Sequence, residues 1–356
     1  MSALFSPLTL RSVTLPNRIV VSPMCQYSAE RGEATAWHMI HLGSLALSGA
    51  GLLCIEATAV EPDGRITPGD LGLWDDATEA ALKPVLAAIR KHSPIRVAMQ
   101  LSHAGRKASS QVPWEGGQLI PVSQGGWLPH APSALPHKAG EEPPLALDTP
   151  ALNRIREAFA ASARRAARLG VDALELHAAH GYLLHQFLSP LSNQRTDPYG
   201  GSFDNRTRIV REVISAVREV WPAELPLWLR ISATDWAEND AGWNIEQSVQ
   251  LAQQVKPLGV DLIDVSSGGM LAHAKIPVGP GYQVPFAARI RREADIATGA
   301  VGMITEVEQA QAIIANGEAD VVLTARESLR DPYFARRAAK TLDVKITPPV
   351  QYGRAW

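Results

Sequence analysis

Short runs of valine, isoleucine and leucine recur along the chain, each followed by a polar loop and then by a longer stretch with helical spacing. Eight such runs stand out, at 19–21, 52–59, 96–101, 173–177, 227–232, 262–266, 298–301 and 321–324. Nearly continuous apolar strands of this length suit a parallel sheet covered by helices. The stretches between them carry helix signals. Between 148 and 170, Leu152, Ile155, Phe159, Ala163 and Ala166 form one apolar stripe at helical period. Thr149 reads as the N-cap of that helix, Pro150 as its first helical residue and Gly170 as its stop. Further helices are predicted at 37–48, 75–91, from 202 to before Pro222, and at 244–259, 284–293, 305–315 and 331–341. Eight strands alternating with eight helices predict an α/β chain closed into a single (β/α)8 TIM barrel over residues 1–356.

Two stretches exceed a minimal barrel. Residues 106–147 form a long loop rich in proline and glycine, with Trp114 and Trp127. A loop of that length reads as a lid or, more blandly, as a passive surface insertion. The tail 346–356, ending in Tyr352, Arg354 and Trp356, frays unless it docks. The most membrane-like stretch, 42–60, is interrupted by Gly49-Ala50-Gly51 and carries Glu56, so it reads as a helix end followed by a buried strand. The first fifteen residues do not have the pattern of a signal peptide.

Composition narrows the classes of function. A formal net charge of -2 offers no basic field for a nucleic-acid backbone. Cys25 and Cys54 are too few for a disulfide framework or a four-cysteine cluster, and they suit a reducing, cytoplasmic compartment. No glycine-rich dinucleotide fingerprint follows a strand, so no separate nucleotide domain is expected.

In barrel enzymes the site lies at the C-terminal ends of the strands. Those ends carry Ser22-Pro23-Met24-Cys25, Glu56-Ala57-Thr58, Gln100 to His103, His177 to Tyr182, Arg230, Ser266 to Gly269, Gly302 and Ala325-Arg326. Nearly every end offers a hydrogen-bonding group or a glycine, as a large polar-edged ligand requires. Gly302 alone reads as a turn residue. With Arg326 directly after the last strand it reads equally well as the phosphate site common to this fold.

Ser22-Pro23-Met24-Cys25-Gln26-Tyr27, His177-Ala178-Ala179-His180-Gly181-Tyr182 and Tyr199-Gly200-Gly201-Ser202 with Asn205-Arg206 resemble the Old Yellow Enzyme family. The likeness is greatest to its bacterial thermophilic-like branch, with its xenobiotic reductases and NADPH dehydrogenases, and runs from Leu4-Phe5 to Gln351-Tyr352-Gly353-Arg354. The resemblance implies an FMN-dependent ene-reductase. NADPH or NADH reduces FMN, and hydride then passes to the β-carbon of an α,β-unsaturated carbonyl, or to a nitro compound. It implies that Ser22, Pro23, Met24, Cys25, Ala57, Gln100 and Arg230 surround the flavin ring and ribityl chain. Gly302, Ala325 and Arg326 hold its phosphate. His177 and His180 bind the substrate oxygen, Tyr182 donates the proton and Tyr27 lines the substrate pocket. It further implies a homodimer or homotetramer in which Arg354 reaches the neighbouring site. Relatives often have Gly-Arg where this chain has Ala325-Arg326, which leaves open whether a positive φ is needed there.

The chemistry fits those residues. Two neutral imidazole N–H groups stabilise charge developing on an oxygen as an oxyanion hole does. The competing reading of His177 and His180 as a metal pair lacks a third ligand at a convincing spacing. Tyr182 alone reads as packing; beside two histidines it reads as a general acid. Arg230 offsets negative charge on the flavin or forms a structural ion pair, and Gln100 suits the flavin's pyrimidine edge. Cys25 reads as a weak S–H contact to flavin or as an inert small residue, and Cys54 as core. His38 and His41 are placed on a helix as partly buried structural residues. The absence of lysine at the eight strand ends speaks against a Schiff-base lyase, and two cysteines exclude the iron–sulfur relatives.

Overall fold

The computed structural model describes residues 2–238 and 241–355. Eight parallel strands close a barrel: β1 Ile19–Val21, β2 Leu52–Ala59, β3 Arg96–Ser102, β4 Ala173–Ala178, β5 Leu227–Ser232, β6 Leu262–Ser266, β7 Ala297–Ala300 and β8 Val321–Thr324. β8 returns to β1 with Val322 opposite Ile19 and Thr324 opposite Val21. Each strand lies where its hydrophobic run places it, to within one residue at either end.

Strand register decides which side chains share the barrel interior. Gln100 of β3 stands beside Glu175 of β4, His177 of β4 beside Arg230 of β5, and Arg230 beside Asp264 of β6. Side chains two apart point to the same face. The lower interior is one apolar cluster, including Val20, Leu52, Cys54, Ala98, Ala173, Trp228, Leu262 and Leu323. A hairpin that the hydrophobic pattern does not announce, Leu8–Leu10 with Val13–Leu15, adds Val13 and Leu15 to that cluster.

The helices are α1 Ala36–Ala46, α2 Asp76–His92, α3 Thr149–Leu169, α4 Leu183–Leu188, α5 Phe203–Arg218, α6 Ile245–Val255, α7 Val284–Ala294, α8 Val307–Ala315, α9 Arg326–Arg330 and α10 Phe334–Thr341. The expected cap of α3 is corrected by one residue. Asp148 is the N-cap, its carboxylate accepting from Ala151 N at 2.9 Å, and Thr149 is already helical. A carboxylate also complements the positive end of the helix dipole. α4 and α9, of 6 and 5 residues, are additions to the expected set. No helix among the described residues is long and apolar enough to cross a membrane.

The long loop after β3 is pinned from below. The Arg65 guanidinium lies 4.8 Å from the Trp127 ring and 5.6 Å from that of Trp74, and Trp127 Nε1 donates to Asp63 O at 3.0 Å. Within the loop His130–Ala131 pairs with Leu145–Ala146, and Ser110 bridges to Leu119. Its Trp114 ring packs edge-on against Tyr27 at 5.9 Å.

Candidate active site

β4 carries His177 at its end, and the turn after it carries His180 and Tyr182. His180 has φ 58 and Gly181 φ 73, so two successive left-handed residues fold the chain back sharply. Only glycine fits at 181, because a Cβ would stand 2.2 Å from Gly269 O. The turn brings three rings together. His177 lies 5.1 Å from His180 and 4.9 Å from Tyr182, both edge to face. Ser232 Oγ accepts from His180 N at 2.9 Å, and Lys107 Nζ donates both to His180 O at 2.8 Å and to Gly269 O.

The hydrogen bonds indicate which ring nitrogens carry protons. Ala179 N donates to His177 Nδ1 at 3.3 Å, which leaves the His177 proton on Nε2. Ser266 Oγ lies 2.8 Å from His180 Nε2. Ser266 Oγ is 3.4 Å from Gln283 Oε1, which already accepts from Ser267 Oγ at 2.6 Å, so the Ser266 hydroxyl is assigned as donor to the nearer His180 Nε2. The His180 proton then sits on Nδ1, which faces His177 Nε2 at 3.4 Å. Two N–H groups then converge on one point, an arrangement that an acceptor oxygen between them satisfies. Burial, reinforced by the nearby Arg230 charge, holds both imidazoles well below the usual histidine range, so they are neutral at pH 7. Burial also raises the Tyr182 phenol well above its usual range, which keeps its proton in place.

The residues expected around a flavin ring line the same mouth. Arg230 Nη1 donates to Ser22 Oγ at 3.2 Å, Arg230 Nε lies 3.1 Å from Asp264 Oδ2, and Gln100 Nε2 donates to Glu175 Oε1 at 2.7 Å. Ala57 is buried on β2 opposite Gln100, just past a register shift. Pro23, Met24, Cys25 and Tyr27 are half-buried on the loop after β1. Burial, with the carboxylates of Asp70 and Glu56, holds the Cys25 thiol well above its usual range, so it is a thiol and not a thiolate. Burial raises the Tyr27 phenol in the same way.

Past the C-terminal ends of β7 and β8 opens a cavity of about 350 Å³, lined by Ser266, Gln283, Gly302, Met303, Ala325 and Arg326 among others. Gly302 has φ 117, and a Cβ there would stand 2.7 Å from Gln283 Nε2. Ala325 has φ -103, so the departure from Gly-Arg meets no requirement for a positive φ. A larger groove of about 710 Å³ lies outside the barrel among Arg156, Arg208, Glu212 and Gln254, away from these rings. Arg354 is exposed on the tail and, among the described residues, makes no bond to the cluster.

Other contacts near the mouth were not expected. Lys107 belongs to the turn Gly105–Lys107 rather than to a strand end. Burial, aided by Arg106 and Lys138, lowers its pKa to about 8. A lysine does therefore reach the mouth, as a strap between two carbonyls. Glu61, His103 and His130 bring their ligand atoms within 4.8 Å of one another. Gly105 N donates to His103 Nδ1 at 3.0 Å, so His103 Nε2 carries the proton and gives it to Glu61 Oε1 at 3.0 Å. A nitrogen so engaged offers no lone pair to a metal, and the group acts as a hydrogen-bonded clamp. His38 is fully buried, its Nε2 lying 3.5 Å from Glu56 Oε1, while His41 is half-buried on the same helix.

A model of the NADH:flavin oxidoreductase / NADH oxidase family matches residues 3–345. The chain belongs to that family. It is 47% identical to an NADPH dehydrogenase of Geobacillus thermodenitrificans (strain NG80-2), over 100% of this chain and 99% of that one. It is 46% identical to an NADPH dehydrogenase of Bacillus subtilis (strain 168), over 99% of each. Among solved structures, morphinone reductase superposes with a TM-score of 0.79 at 29% identity, over 98% of this chain and 91% of that one. The chain is thus a flavin-dependent oxidoreductase of the Old Yellow Enzyme type.

The residues present fit FMN. A buried guanidinium, amide and hydroxyl from Arg230, Gln100 and Ser22 match a polar ring edge, and the glycine-lined cavity beside Arg326 matches a phosphate. Leaving such groups buried without a polar ligand is costly.

Proposed function

We propose that the protein is an FMN-dependent ene-reductase acting on α,β-unsaturated carbonyls, and on nitro compounds that present an oxygen to the same donors. The observation that carries this reading is the convergence of His177 Nε2 and His180 Nδ1, 3.4 Å apart, with the Tyr182 ring 4.9 Å from His177. FMN, when bound, supplies two-electron transfer from NADPH or NADH to the substrate. Arg230, Gln100, Ser22, Ala57 and the segment Pro23-Met24-Cys25 hold its ring, while Gly302, Ala325 and Arg326 hold its phosphate.

The remaining work falls to this chain's own groups. Reduction of an enone builds negative charge on the carbonyl oxygen and requires a proton at the α-carbon. His177 and His180 donate to that oxygen, and their hydrogen bonds strengthen as the charge grows. Lys107 and Ser232 fix the His180 turn, so the donors are oriented before the substrate arrives. Tyr182 retains its proton until the α-carbon needs it. Tyr27 and Trp114 form the outer wall, and the long loop after β3 shields the mouth from water. In a homo-oligomer the exposed Arg354 completes the pocket of a neighbouring copy.

Anaerobic visible spectroscopy tests the proposal. The purified protein is expected to show a flavin spectrum that bleaches with NADPH and returns on addition of cyclohexenone. Bleaching with NADPH but no return with any enone would remove the ene-reductase reading while leaving the family's flavin chemistry intact.

A further inference from the structure

Below the catalytic rings, four polar side chains from consecutive strands occupy a layer of the barrel interior where bulky aliphatic residues ordinarily pack. They are Gln100, Glu175, Arg230 and Asp264, each at most 6% exposed. Two carboxyl groups here face a single cation. Asp264 Oδ2 lies 3.1 Å from Arg230 Nε as an ion pair, and Glu175 Oε1 accepts from Gln100 Nε2 at 2.7 Å. Glu175 Oε2 and both Asp264 carboxyl oxygens are buried with no hydrogen-bond donor among the described residues. The two side chains lie within hydrogen-bond reach of each other. Two carboxylates cannot hydrogen-bond, because each only accepts. Their contact requires one proton, which also satisfies an acceptor left bare.

We propose that Glu175 and Asp264 share one proton beneath the flavin and, as positioning residues, set how much of the Arg230 charge the flavin experiences. The proposal rests on the flavin lying over Arg230 and Gln100. With one shared proton the layer is neutral, one guanidinium balancing one carboxylate. With none it carries a net negative charge directly under a cofactor that gains negative charge on reduction.

Burial, then the neighbouring Asp264, raises Glu175 to about 8, with Arg230 and Gln100 opposing. Burial raises Asp264 as well, with Arg230 and the bond to Glu175 opposing it. The pair thus holds its one proton jointly. The other titratable groups facing the layer are Cys54 from β2, Cys25 from the loop after β1 and His177 from the layer above. All three are neutral at pH 7, so none supplies a second countercharge.

Two measurements on the FMN-loaded protein test this. The first is the infrared carbonyl band of a protonated carboxylic acid. It is expected in the wild type at pH 7, fading from about pH 8 upward, and absent in Glu175→Gln. The second is the flavin midpoint potential against pH. Above about pH 8 the wild type is expected to take up one proton more on reduction than Glu175→Gln, giving a steeper fall. Below that pH the two should coincide, since each has one guanidinium and one carboxylate. Glu175→Gln with Asp264→Asn leaves Arg230 unopposed, and its potential is expected to rise. If Glu175→Gln does not fold, Asp264→Asn alone serves. Glu175 then loses its like-charged neighbour, and the band should fade at a lower pH than in the wild type. Absence of the acid band from the wild type at pH 7, or its persistence in Glu175→Gln, overturns the shared proton. If the band behaves as expected and the potentials do not, the flavin is not governed by this layer.

Discussion

The oxygen site formed by His177 and His180 makes a quantitative prediction for phenols, whose phenolate oxygen resembles an enolate oxygen in charge and shape. The perturbation is His177→Ala or His180→Ala. Each removes one N–H donor to an anionic acceptor, and such a hydrogen bond contributes about 1.5–3 kcal/mol. At about 1.4 kcal/mol per tenfold, phenol affinity should fall roughly 10- to 150-fold in either variant. The effects should not add, because both donors serve one oxygen and the survivor can re-aim at it. His→Asn at either position retains an N–H donor and should lose less. The assay is titration of the FMN-loaded protein with p-hydroxybenzaldehyde, followed by the long-wavelength absorbance of a phenolate stacked on flavin. pH gives a second check. Both imidazoles are held well below the usual histidine range by burial and Arg230, so neither gains charge as pH falls through that range. Affinity should then follow ionisation of the phenol, with no further inflection near the ordinary histidine value. Unchanged affinity in both alanine variants would refute the paired-donor site, and tightening as pH falls through the histidine range would refute their neutrality.

Tyr182→Phe should slow reoxidation by enone by about 10²- to 10⁴-fold while reduction by NADPH stays close to wild type, as stopped-flow traces of the two half-reactions would reveal. Burial opposes ionisation of Glu61, but His103 and Arg154 outweigh it and hold the carboxyl down to about 2. The stability it contributes is complete above its unfolded value of 4.5 and is lost as pH falls toward 2, so thermal melts of Glu61→Gln should show a shallower acid decline than wild type. Trp127→Ala removes the Arg65 contact and the bond to Asp63 O, and hydrogen exchange should accelerate in the long loop ahead of the barrel strands. Truncation before Gln351 should weaken phenol affinity if Arg354 completes a neighbouring pocket; unchanged affinity and unchanged oligomeric state would remove it from that role.

Most of the architecture was legible because barrel strands are short, apolar and bounded by turn residues, and all eight of these announce themselves by composition. The hairpin Leu8–Leu10 with Val13–Leu15 did not, since each strand has 3 residues with a threonine at its centre. α4 and α9 are too short to develop a periodicity. The α3 cap was misplaced because Asp148 and Thr149 are both good caps, and sequence alone does not say which backbone is extended. In the site, the strand ends were legible as one polar mouth, but the pairings between side chains distant in sequence were not. Lys107 lies 73 positions from His180, the residue whose carbonyl it holds, and Ser266 lies 86 positions from the imidazole it faces. The clamp of Glu61 and His103 spans 42 positions, and His130 joins it only through the course of the long loop. Those pairings follow from strand order and loop path, which no local pattern encodes.

The barrel interior is divided into halves with different tasks. The lower half is apolar and closed by the hairpin, and its burial supplies stability without specificity. The upper half replaces aliphatic layers with Gln100, Glu175, Arg230 and Asp264, then with His177, Ser232 and Ser266. Breaking one buried ion pair by removing a single partner is strongly destabilising, whereas replacing the whole set by apolar residues of similar volume is often neutral or better. Stability alone therefore gives no reason to keep this set. A bound group with a polar edge does, because it engages donors that the protein leaves only partly satisfied. The same division accounts for Lys107. A buried lysine at the mouth could be a nucleophile as the free amine, but the Lys107 ammonium is held by the carbonyls of His180 and Gly269, on the turns after β4 and β6. Its charge is spent on geometry, holding the His180 turn in a left-handed conformation that an unstrapped loop would relax.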